Sequence, residues 1–135
     1  MRWYQPLVYV WASPTTLLGL LAVPLALMQG GSARVVAGVL EVHGGIITTI
    51  LRRGLPWVGS VAAMTLGHVV WGCDERSLEL TRPHERVHVA QCERWGPLFI
   101  PAYLLLSLLA WCRGMNPYLD NPFEREAYGF SDRET

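Results

Sequence analysis

The stretch His84-Glu85-Arg86-Val87-His88 is the strongest signal in the chain, and it determines how the remaining sequence is interpreted. The two histidines are four residues apart, so on a helix both imidazoles lie on one face, one turn apart. Such a pair can fill two of the four positions around a zinc ion. Glu85 points about 100° away around the helix, where it can hold a water molecule rather than the metal. The spacing therefore predicts a metal site with a general base beside it.

The flanking residues predict a helix over about residues 82–95. Thr81 is a good N-cap, and Pro83 falls in the first turn, where its missing N–H costs little. Gly96 and Pro97 form a stop signal. The competing interpretation is a solvated amphipathic helix whose two histidines match the pattern by chance.

Length and charge exclude several classes of protein. The 135 residues make one domain at most, and 51% of them are hydrophobic. Eleven arginines balance eleven acidic residues, so the net charge is zero and an extended nucleic-acid interface is not expected. The three cysteines contain no C-x-x-C pair, which argues against a disulfide framework and is consistent with a reducing compartment.

The N-terminal run predicts a membrane anchor. No charged side chain occurs between Trp3 and Ala33, and residues 6–28 are almost wholly apolar, which is enough for a helix across about 30 Å of hydrocarbon. Aromatic residues cluster at one end, as they do at membrane interfaces: Trp3, Tyr4, Tyr9 and Trp11. A secretory signal peptide and a buried soluble helix are the alternatives. We expect residues 1–30 to form a retained anchor in contact with membrane lipid, and residues 31–135 to form the functional domain.

The middle of the chain predicts a small antiparallel sheet. Arg34–His43 is rich in valine, Gly44-Gly45 suits a two-residue hairpin turn, and Ile46–Leu51 is rich in β-branched residues. Val61–Trp71 is again typical of a strand. Periodicity leaves open that Ile46–Leu51 and Val58–Val70 are apolar helices instead.

A site built on H-E-x-x-H requires a third protein ligand. The metzincin pattern would have a glycine at 91 and a histidine at 94, but Gln91 and Arg94 occupy those positions. Cys92 lies on the ligand face but too far along the same helix, so we interpret it as core. We interpret the histidines of the strand-like stretches, His43 and His68, as structural. Two carboxylates remain on a predicted C-terminal helix that starts near residue 123, Glu124 and Glu126.

The motif together with Asn121–Ala127, which reads N-x-x-E-x-x-A, resembles a gluzincin-type zinc metallopeptidase. In that group the third ligand is a glutamate on a separate helix, commonly in E-x-x-[AS]-[DN]. The resemblance implies that zinc is held by His84, His88 and Glu124. It also places Tyr128 where that group usually has an aspartate that orients a ligand histidine.

The run from Pro83 to Tyr128 also resembles small uncharacterised bacterial membrane proteins that carry H-E-x-x-H. Residues 96–112 form a second apolar run, but if they crossed the membrane, His88 and Glu124 would end about 30 Å apart. We therefore expect a helix over 98–112 to fold back along the motif helix. The predicted fold is α+β and zincin-like: an N-terminal transmembrane helix, a small antiparallel sheet, the H-E-x-x-H helix, the fold-back helix and a short C-terminal helix.

The function that follows is a membrane-anchored zinc metallopeptidase. Zinc would activate a water for attack on a peptide bond of a peptide or protein substrate, with Glu85 as the general base. An edge strand near Val61–Val70 would bind extended substrate, and Tyr103 or Tyr128 would stabilise the oxyanion. The alternative is a non-enzymatic zinc-binding membrane scaffold derived from a zincin.

The arginines predict the orientation of the domain. Arg34, Arg52 and Arg53 follow the anchor, whereas only Arg2 precedes it. The positive-inside tendency therefore predicts a bacterial inner-membrane protein with its domain on the cytoplasmic side.

Overall fold

The described part of the chain folds into a four-stranded sheet with six α-helices around it. The computed structural model describes residues 5–54 and 59–134, so the predicted interfacial residues Trp3 and Tyr4, together with Arg2, lie outside the described residues. In chain order the elements are α1 (Gln5–Leu20), α2 (Val23–Met28), β1 (Ser32–Val36), β2 (Val39–His43), α3 (Gly45–Arg53), β3 (Ala63–Leu66), β4 (Val69–Gly72), α4 (Glu75–Trp95), a 3-10 turn (Gly96–Leu98), α5 (Phe99–Cys112) and α6 (Pro122–Glu134).

The sheet is mixed, with the strand order β1-β2-β4-β3. The outer pairs β1–β2 and β3–β4 are antiparallel, whereas the central pair β2–β4 is parallel. The α+β class is confirmed, but the prediction of a wholly antiparallel sheet is wrong at its centre. The reason is α3, which follows β2 and carries the chain away from the sheet before β3 and β4 form. A crossover of this kind allows two strands to pair in parallel.

The predicted hairpin turn at Gly44-Gly45 is also wrong. The turn between β1 and β2 is Ala37-Gly38, where both residues have positive φ, 51° and 79°. That backbone suits a tight two-residue hairpin. Gly44 instead precedes α3, and its N–H donates to Thr48 Oγ1 at 3.0 Å. The helical alternative is therefore the right one for residues 46–51, while residues 63–66 and 69–72 are strands.

Side chains alternate between the two faces of the sheet, and each face has its own core. On one face Val42, Val69 and Trp71 pack with buried residues of α2 and α3. On the other face Val39 and Val70 pack with buried residues of α4. The motif helix therefore lies directly against the sheet.

Helix α4 begins at Glu75, one and a half to two turns earlier than predicted. Asp74 is its N-cap, because Asp74 Oδ1 accepts a hydrogen bond from the Ser77 N–H at 2.7 Å. The prediction of Thr81 as the cap is wrong, since its hydroxyl donates to the Ser77 carbonyl inside the helix. The predicted end is confirmed: the helix stops at Trp95, and Gly96 follows with a φ of 56°.

A buried ion cluster fixes α4 to the centre of the sheet. Glu41 of β2 is 1% exposed and accepts two hydrogen bonds from Arg82, at 2.8 and 2.9 Å. Its carboxylate also accepts one from Arg86, the third residue of the motif, at 2.9 Å. Burial alone would raise the pKa of Glu41, but the hydrogen bonds and charges of the two arginines lower it below its ordinary value. The cluster therefore sets the rotation of the motif helix against β2.

Helix α1 packs against the rest of the chain through side chain to backbone hydrogen bonds. The Trp71 indole N–H donates to the Gly19 carbonyl at 3.0 Å, and the Thr15 hydroxyl donates to the Gly96 carbonyl at 3.3 Å. The Trp11 indole N–H donates to the Arg94 carbonyl at 3.2 Å. The segment predicted as the anchor is thus in direct contact with β4 and with the end of the motif helix.

Two helical stretches are long and apolar enough to cross a membrane, one over Gln5–Met28 and one within Glu75–Cys112. In each stretch only 22% of the most apolar window is buried within the protein. The second window lies toward α5, because α4 is rich in charged residues whereas α5 carries none. Most of the apolar side chains in these two windows therefore face outward.

Helices α5 and α6 complete the structure around the motif. The chain turns at Gly96–Leu98, and α5 then brings the rings of Phe99 and Tyr103 to 6.3 Å from that of His88. This position agrees with the predicted fold-back. Asn121 then caps α6, because its Oδ1 accepts a hydrogen bond from the Phe123 N–H at 2.9 Å. Its amide also donates to the Ser107 hydroxyl of α5 at 2.8 Å.

Candidate metal centre

Three buried side chains from two helices meet at one point. His84 and His88 lie one turn apart on α4, with ring centroids 5.0 Å apart. Glu124, in the first turn of α6, places its Oε1 2.9 Å from His84 Nε2 and 3.0 Å from His88 Nε2. One candidate ligand atom from each residue lies within 4.8 Å of the other two. The group can hold a metal ion.

The chemistry of this donor set fits a divalent metal. Two imidazole nitrogens and a carboxylate oxygen are ligands that zinc accepts, at about 2.0–2.2 Å. Donors at that distance around a tetrahedral ion are about 3.3–3.5 Å apart. The observed separations of 2.9 and 3.0 Å are a few tenths of an ångström shorter, which small side-chain rotations would correct. The assignment of these three residues as ligands remains a prediction.

The Glu124 carboxylate is fixed from two directions. The Tyr103 hydroxyl of α5 donates to Oε2 at 2.5 Å, so that Oε1 is the oxygen turned toward the histidines. The backbone before Glu124 is held by Asn121, whose amide bonds both the Tyr103 carbonyl and Ser107. Phe123 packs in the core with Phe99 and Cys92. The third candidate ligand is therefore held in position by its own hydrogen bonds and by the core beside it.

Gln91 determines which nitrogen of His88 faces the centre. The Gln91 amide NH₂ donates to the Phe123 carbonyl and to Glu126 Oε1, both at 3.0 Å, so its oxygen faces His88. That oxygen lies 2.7 Å from His88 Nδ1, which must therefore carry the proton and donate it. His88 Nε2 is then the nitrogen available to a metal, because a hydrogen bond at one ring nitrogen of a histidine leaves the other free to bind.

His84 lacks a comparable partner. Among the residues that the structure describes, none provides a hydrogen bond to its buried Nδ1. The ring of Tyr128 lies 4.3 Å from the ring of His84, in the place where the gluzincin pattern has an aspartate. The Tyr128 hydroxyl instead donates to the hydroxyl of Tyr118 at 3.0 Å. Tyr128 thus contacts His84 by ring packing and provides no hydrogen bond to its Nδ1.

Glu126, the alternative third ligand, is turned away from the histidines' Nε2 atoms. Its Oε1 accepts hydrogen bonds from Gln91 at 3.0 Å and from Arg94 at 2.7 Å. The side chain is also half exposed to solvent. Its role in the structure is to connect α6 to the motif helix.

Glu85 is buried on the side of α4 that faces the sheet, where it lines the same cavity as His88 and Glu124. Its Oε2 accepts a hydrogen bond from the Thr65 hydroxyl of β3 at 2.6 Å. Burial raises the pKa of Glu85, although the histidines and Thr65 counteract part of that effect. A raised pKa makes the carboxylate a stronger base than that of an exposed glutamate.

The electrostatics of the centre favour a bound cation. Burial alone would raise the pKa of Glu124, but hydrogen bonds from His84, His88 and Tyr103 lower it below its ordinary value. Burial alone would lower the pKa of His88, but its hydrogen bond to Glu124 and the charge of that carboxylate raise it. The ionised Glu124 carboxylate therefore favours a positive charge at this point.

A cavity of about 250 Å³ adjoins the centre. Its lining is mainly apolar and includes all of β3 and part of α5. The polar side chains in the lining are Thr65, Glu85, His88, Tyr103, Tyr118 and Glu124. A small molecule or a side chain in this cavity would thus contact the candidate base and two of the candidate ligands.

The remaining candidate residues lie elsewhere. His68 stacks on Tyr9 with ring centroids 3.9 Å apart, and its Nε2 lies 3.3 Å from Glu93. Cys92 is fully buried in the core formed with Phe99 and Phe123, as predicted. His43 lies at the end of β2 and does not belong to the His84–His88–Glu124 group.

Three contacts that shape the centre were not predicted from the sequence: Gln91 with His88, Thr65 with Glu85, and Tyr103 with Glu124. Gln91 had a signal, because it lies three residues after His88 and thus on the same face of the helix. Thr65 and Tyr103 contact Glu85 and Glu124 only through the fold, and no local pattern identifies them as partners.

Comparison with known proteins gives no relative. No protein-family model, curated protein or solved structure matches this chain. The centre must therefore be interpreted from its own geometry.

Proposed function

We propose that this protein is a membrane-anchored zinc metallopeptidase of the gluzincin type. The observation that supports the proposal best is the position of Glu85, which lines the same cavity as His88 and Glu124. A purely structural zinc site is closed by its ligands and has no use for a further buried carboxylate there. A hydrolytic site requires that group as its general base.

The residues of the chain have distinct roles in such a reaction. Zinc bound by His84, His88 and Glu124 would supply Lewis acidity and lower the pKa of a coordinated water to about 7. Glu85 would accept the proton of the attacking water and deliver it to the leaving amine. Thr65 holds the Glu85 carboxylate in place through its 2.6 Å hydrogen bond.

Strand β3 is the proposed substrate-binding edge. It lies at one end of the strand order, and all four of its residues line the cavity. An extended peptide added to this edge would bring its backbone past Glu85. Of the two tyrosines expected to stabilise an oxyanion, Tyr103 lines the cavity, whereas Tyr128 is not part of its described lining. Tyr103 is the proposed oxyanion residue, and its hydroxyl would have to leave Glu124 Oε2 and donate to the oxyanion instead.

The variant Glu85→Gln tests this function. It removes the base and preserves the ligands, so zinc content should stay near one per chain while hydrolysis of a peptide library falls by about 10²–10⁴-fold. Glu93→Gln is the matched control, because Glu93 lies on the same helix and pairs with His68 instead. Undiminished hydrolysis by Glu85→Gln would contradict the proposal.

A non-enzymatic zinc-binding scaffold is the second candidate, and the size of the cavity favours it. At about 250 Å³ the cavity is smaller than most small-molecule sites, which occupy about 300–1,000 Å³. In that case zinc would raise the unfolding temperature of the protein, and no peptide in the library would be cleaved.

The proposed location is the bacterial inner membrane, with the sheet and α4 on the cytoplasmic side. Arg34, Arg52 and Arg53 all follow the apolar run, which is the arrangement that the positive-inside tendency favours. A tag at the C-terminus should be protected from protease added to spheroplasts. Its digestion in intact spheroplasts would reverse the orientation.

A further inference from the structure

Helix α5 presents a broad apolar face to the outside. Its buried residues, Phe99, Ser107 and Ala110, lie on one side of the helix. On the opposite side a series of large apolar residues is 41–57% exposed: Leu98, Leu104, Leu105, Leu109 and Trp111. No charged residue occurs between Arg94 and Arg113. A face of this kind is not expected to contact water in a folded protein.

The outer faces of α1 and α5 meet at the end of the motif helix. Trp11 of α1 is 45% exposed, its ring lies against Gly96, and Gly96 begins the turn that leads into α5. Helix α1 has its own exposed leucines, among them Leu17 and Leu18. The two stretches that are apolar enough to cross a membrane therefore meet at the turn that begins at Gly96. Their exposed apolar side chains together make an apolar surface, and hydrocarbon is the surrounding that suits such a surface.

The cavity beside the metal centre opens at the border of this surface. Leu104 lines the cavity and is also 46% exposed. Ile100 lies one turn before Leu104 on the same flank of α5 and is also part of the lining. The opposite wall contains Met64 and Leu66 of β3, which are partly buried. These apolar residues are partly buried or exposed, whereas four polar groups of the lining are buried: Thr65, Glu85, His88 and Glu124.

We propose that the cavity opens toward the bilayer, so that the substrate is an apolar peptide segment that reaches the metal centre from the membrane. This inference rests on the proposed peptidase function and adds its substrate class. A polar peptide would lose its hydration on passing Leu104 and Ile100, whereas an apolar segment would not. Once inside, either peptide would meet the same Glu85 and β3 edge.

Photo-crosslinking tests where the cavity opens, independently of activity. The full chain is reconstituted in vesicles of phosphatidylcholine and phosphatidylglycerol, with a photo-reactive phenylalanine analogue at position 104. The same analogue at position 80 is the control, because Leu80 is equally apolar, is 71% exposed and lies on α4 rather than on α5. Mass spectrometry should find lipid adducts at position 104 and few at position 80. Equal labelling at both positions, or no adduct at position 104, would overturn the proposal.

Peptide hydrolysis in the same vesicles tests the substrate class. A labelled peptide of leucine and alanine should be cleaved at least about tenfold faster than a peptide of serine and glutamine with the same length. The variant Leu104→Asn should reduce cleavage of the apolar peptide by at least about tenfold, whereas Leu109→Asn, the same neutral change on α5 away from the cavity, should not. Faster cleavage of the polar peptide, or equal effects of the two variants, would overturn the inference.

The crosslinking and hydrolysis experiments distinguish a failure of the membrane-access inference from a failure of the proposed peptidase function. Lipid adducts at position 104 without cleavage of either peptide would support the opening toward the bilayer and reject the peptidase. Cleavage of the polar peptide with no adduct at position 104 would support the peptidase and reject access from the membrane.

Discussion

The hydroxyl of Thr65 lies 2.6 Å from Glu85 Oε2, so an edge strand holds the carboxylate of the motif helix. Both residues are buried, and Glu85 is otherwise close to the apolar wall of the cavity. A buried carboxyl that loses its donor is left with an uncompensated polar group. The position of the candidate base therefore depends on a residue that no motif contains.

The first prediction concerns this bond. Thr65→Val preserves the shape of the side chain and removes the donor, so the free energy of unfolding should fall by about 1.5–3 kcal/mol. Thr65→Ser retains the hydroxyl and should retain most peptide hydrolysis, whereas Thr65→Val should lose most of it. Chemical denaturation and a hydrolysis assay measure the two effects. Equal hydrolysis by the two variants would show that the bond does not position the base.

The second prediction concerns the metal ligands. His84→Ala, His88→Ala and Glu124→Ala should each reduce bound zinc from about one per chain to a small fraction, because each removes a ligand. Glu126→Ala is the control on the same helix as Glu124 and should retain zinc, since its carboxylate bonds Gln91 and Arg94 instead. Metal analysis of the purified variants measures the content. Zinc that persists in the double histidine variant would refute the site.

The third prediction is a pH dependence that arises from Glu41. Its pKa is lowered in the folded protein, so its contribution to stability is present above its ordinary pKa of 4.5 and is lost as the pH falls through the lowered value. At pH 7, Glu41→Gln should cost about 2 kcal/mol, and the difference from wild type should shrink in acid. Urea unfolding of wild type and variant between pH 7 and pH 3 measures the loss of stability at pH 7 and its decrease in acid.

Glu79→Gln is the matched control for that series. Glu79 is half exposed and reaches Arg34 only at 3.9 Å, so the substitution should change stability by less than about 0.5 kcal/mol at any pH. If Glu41→Gln behaved like this control, the ion cluster would not be what fixes α4 to the sheet.

The fourth prediction concerns the membrane. The protein should stay in the membrane pellet after carbonate extraction, and the double variant Leu17→Arg with Leu18→Arg should be released. Both leucines are more than half exposed on α1, and each arginine would cost about 2.5–3.5 kcal/mol near the centre of a bilayer. Leu80→Arg, at an exposed position of α4, should stay in the pellet. Retention of the double variant would show that the attachment lies elsewhere.

The part of the site that lies on a single helix could be predicted from the sequence. The four-residue spacing of His84 and His88 requires only a helix to place both rings on one face, and Gly96 is sufficient to end that helix. The approach of Glu124 was implied by the resemblance to gluzincins and not by any local rule. It depends on Asn121 and Tyr103, which bring α6 onto α5.

The sheet was harder to predict for a physical reason. Residues 46–51 are β-branched and apolar, and such a short run is compatible with a buried strand or with a helix. Packing against the sheet decides between strand and helix. Ile47 and Leu51 are both fully buried in the core that also contains Val42, Val69 and Trp71. Once that segment is a helix, β2 is free to pair in parallel with β4, a long-range choice that alternation within one strand does not encode.

Helix α1 has a consequence for how the protein is made. It contributes Ala12, Thr15 and Gly19 to the buried interior, and Gly19 accepts the hydrogen bond of the Trp71 indole. Cleavage by a processing protease after this helix would therefore remove buried residues that pack against β4 and against the turn at Gly96. If α1 is the membrane anchor proposed above, insertion into lipid and completion of the fold depend on the same sixteen residues. A chain that failed to reach the membrane would then also fail to mature, and it would become a substrate for cellular quality control.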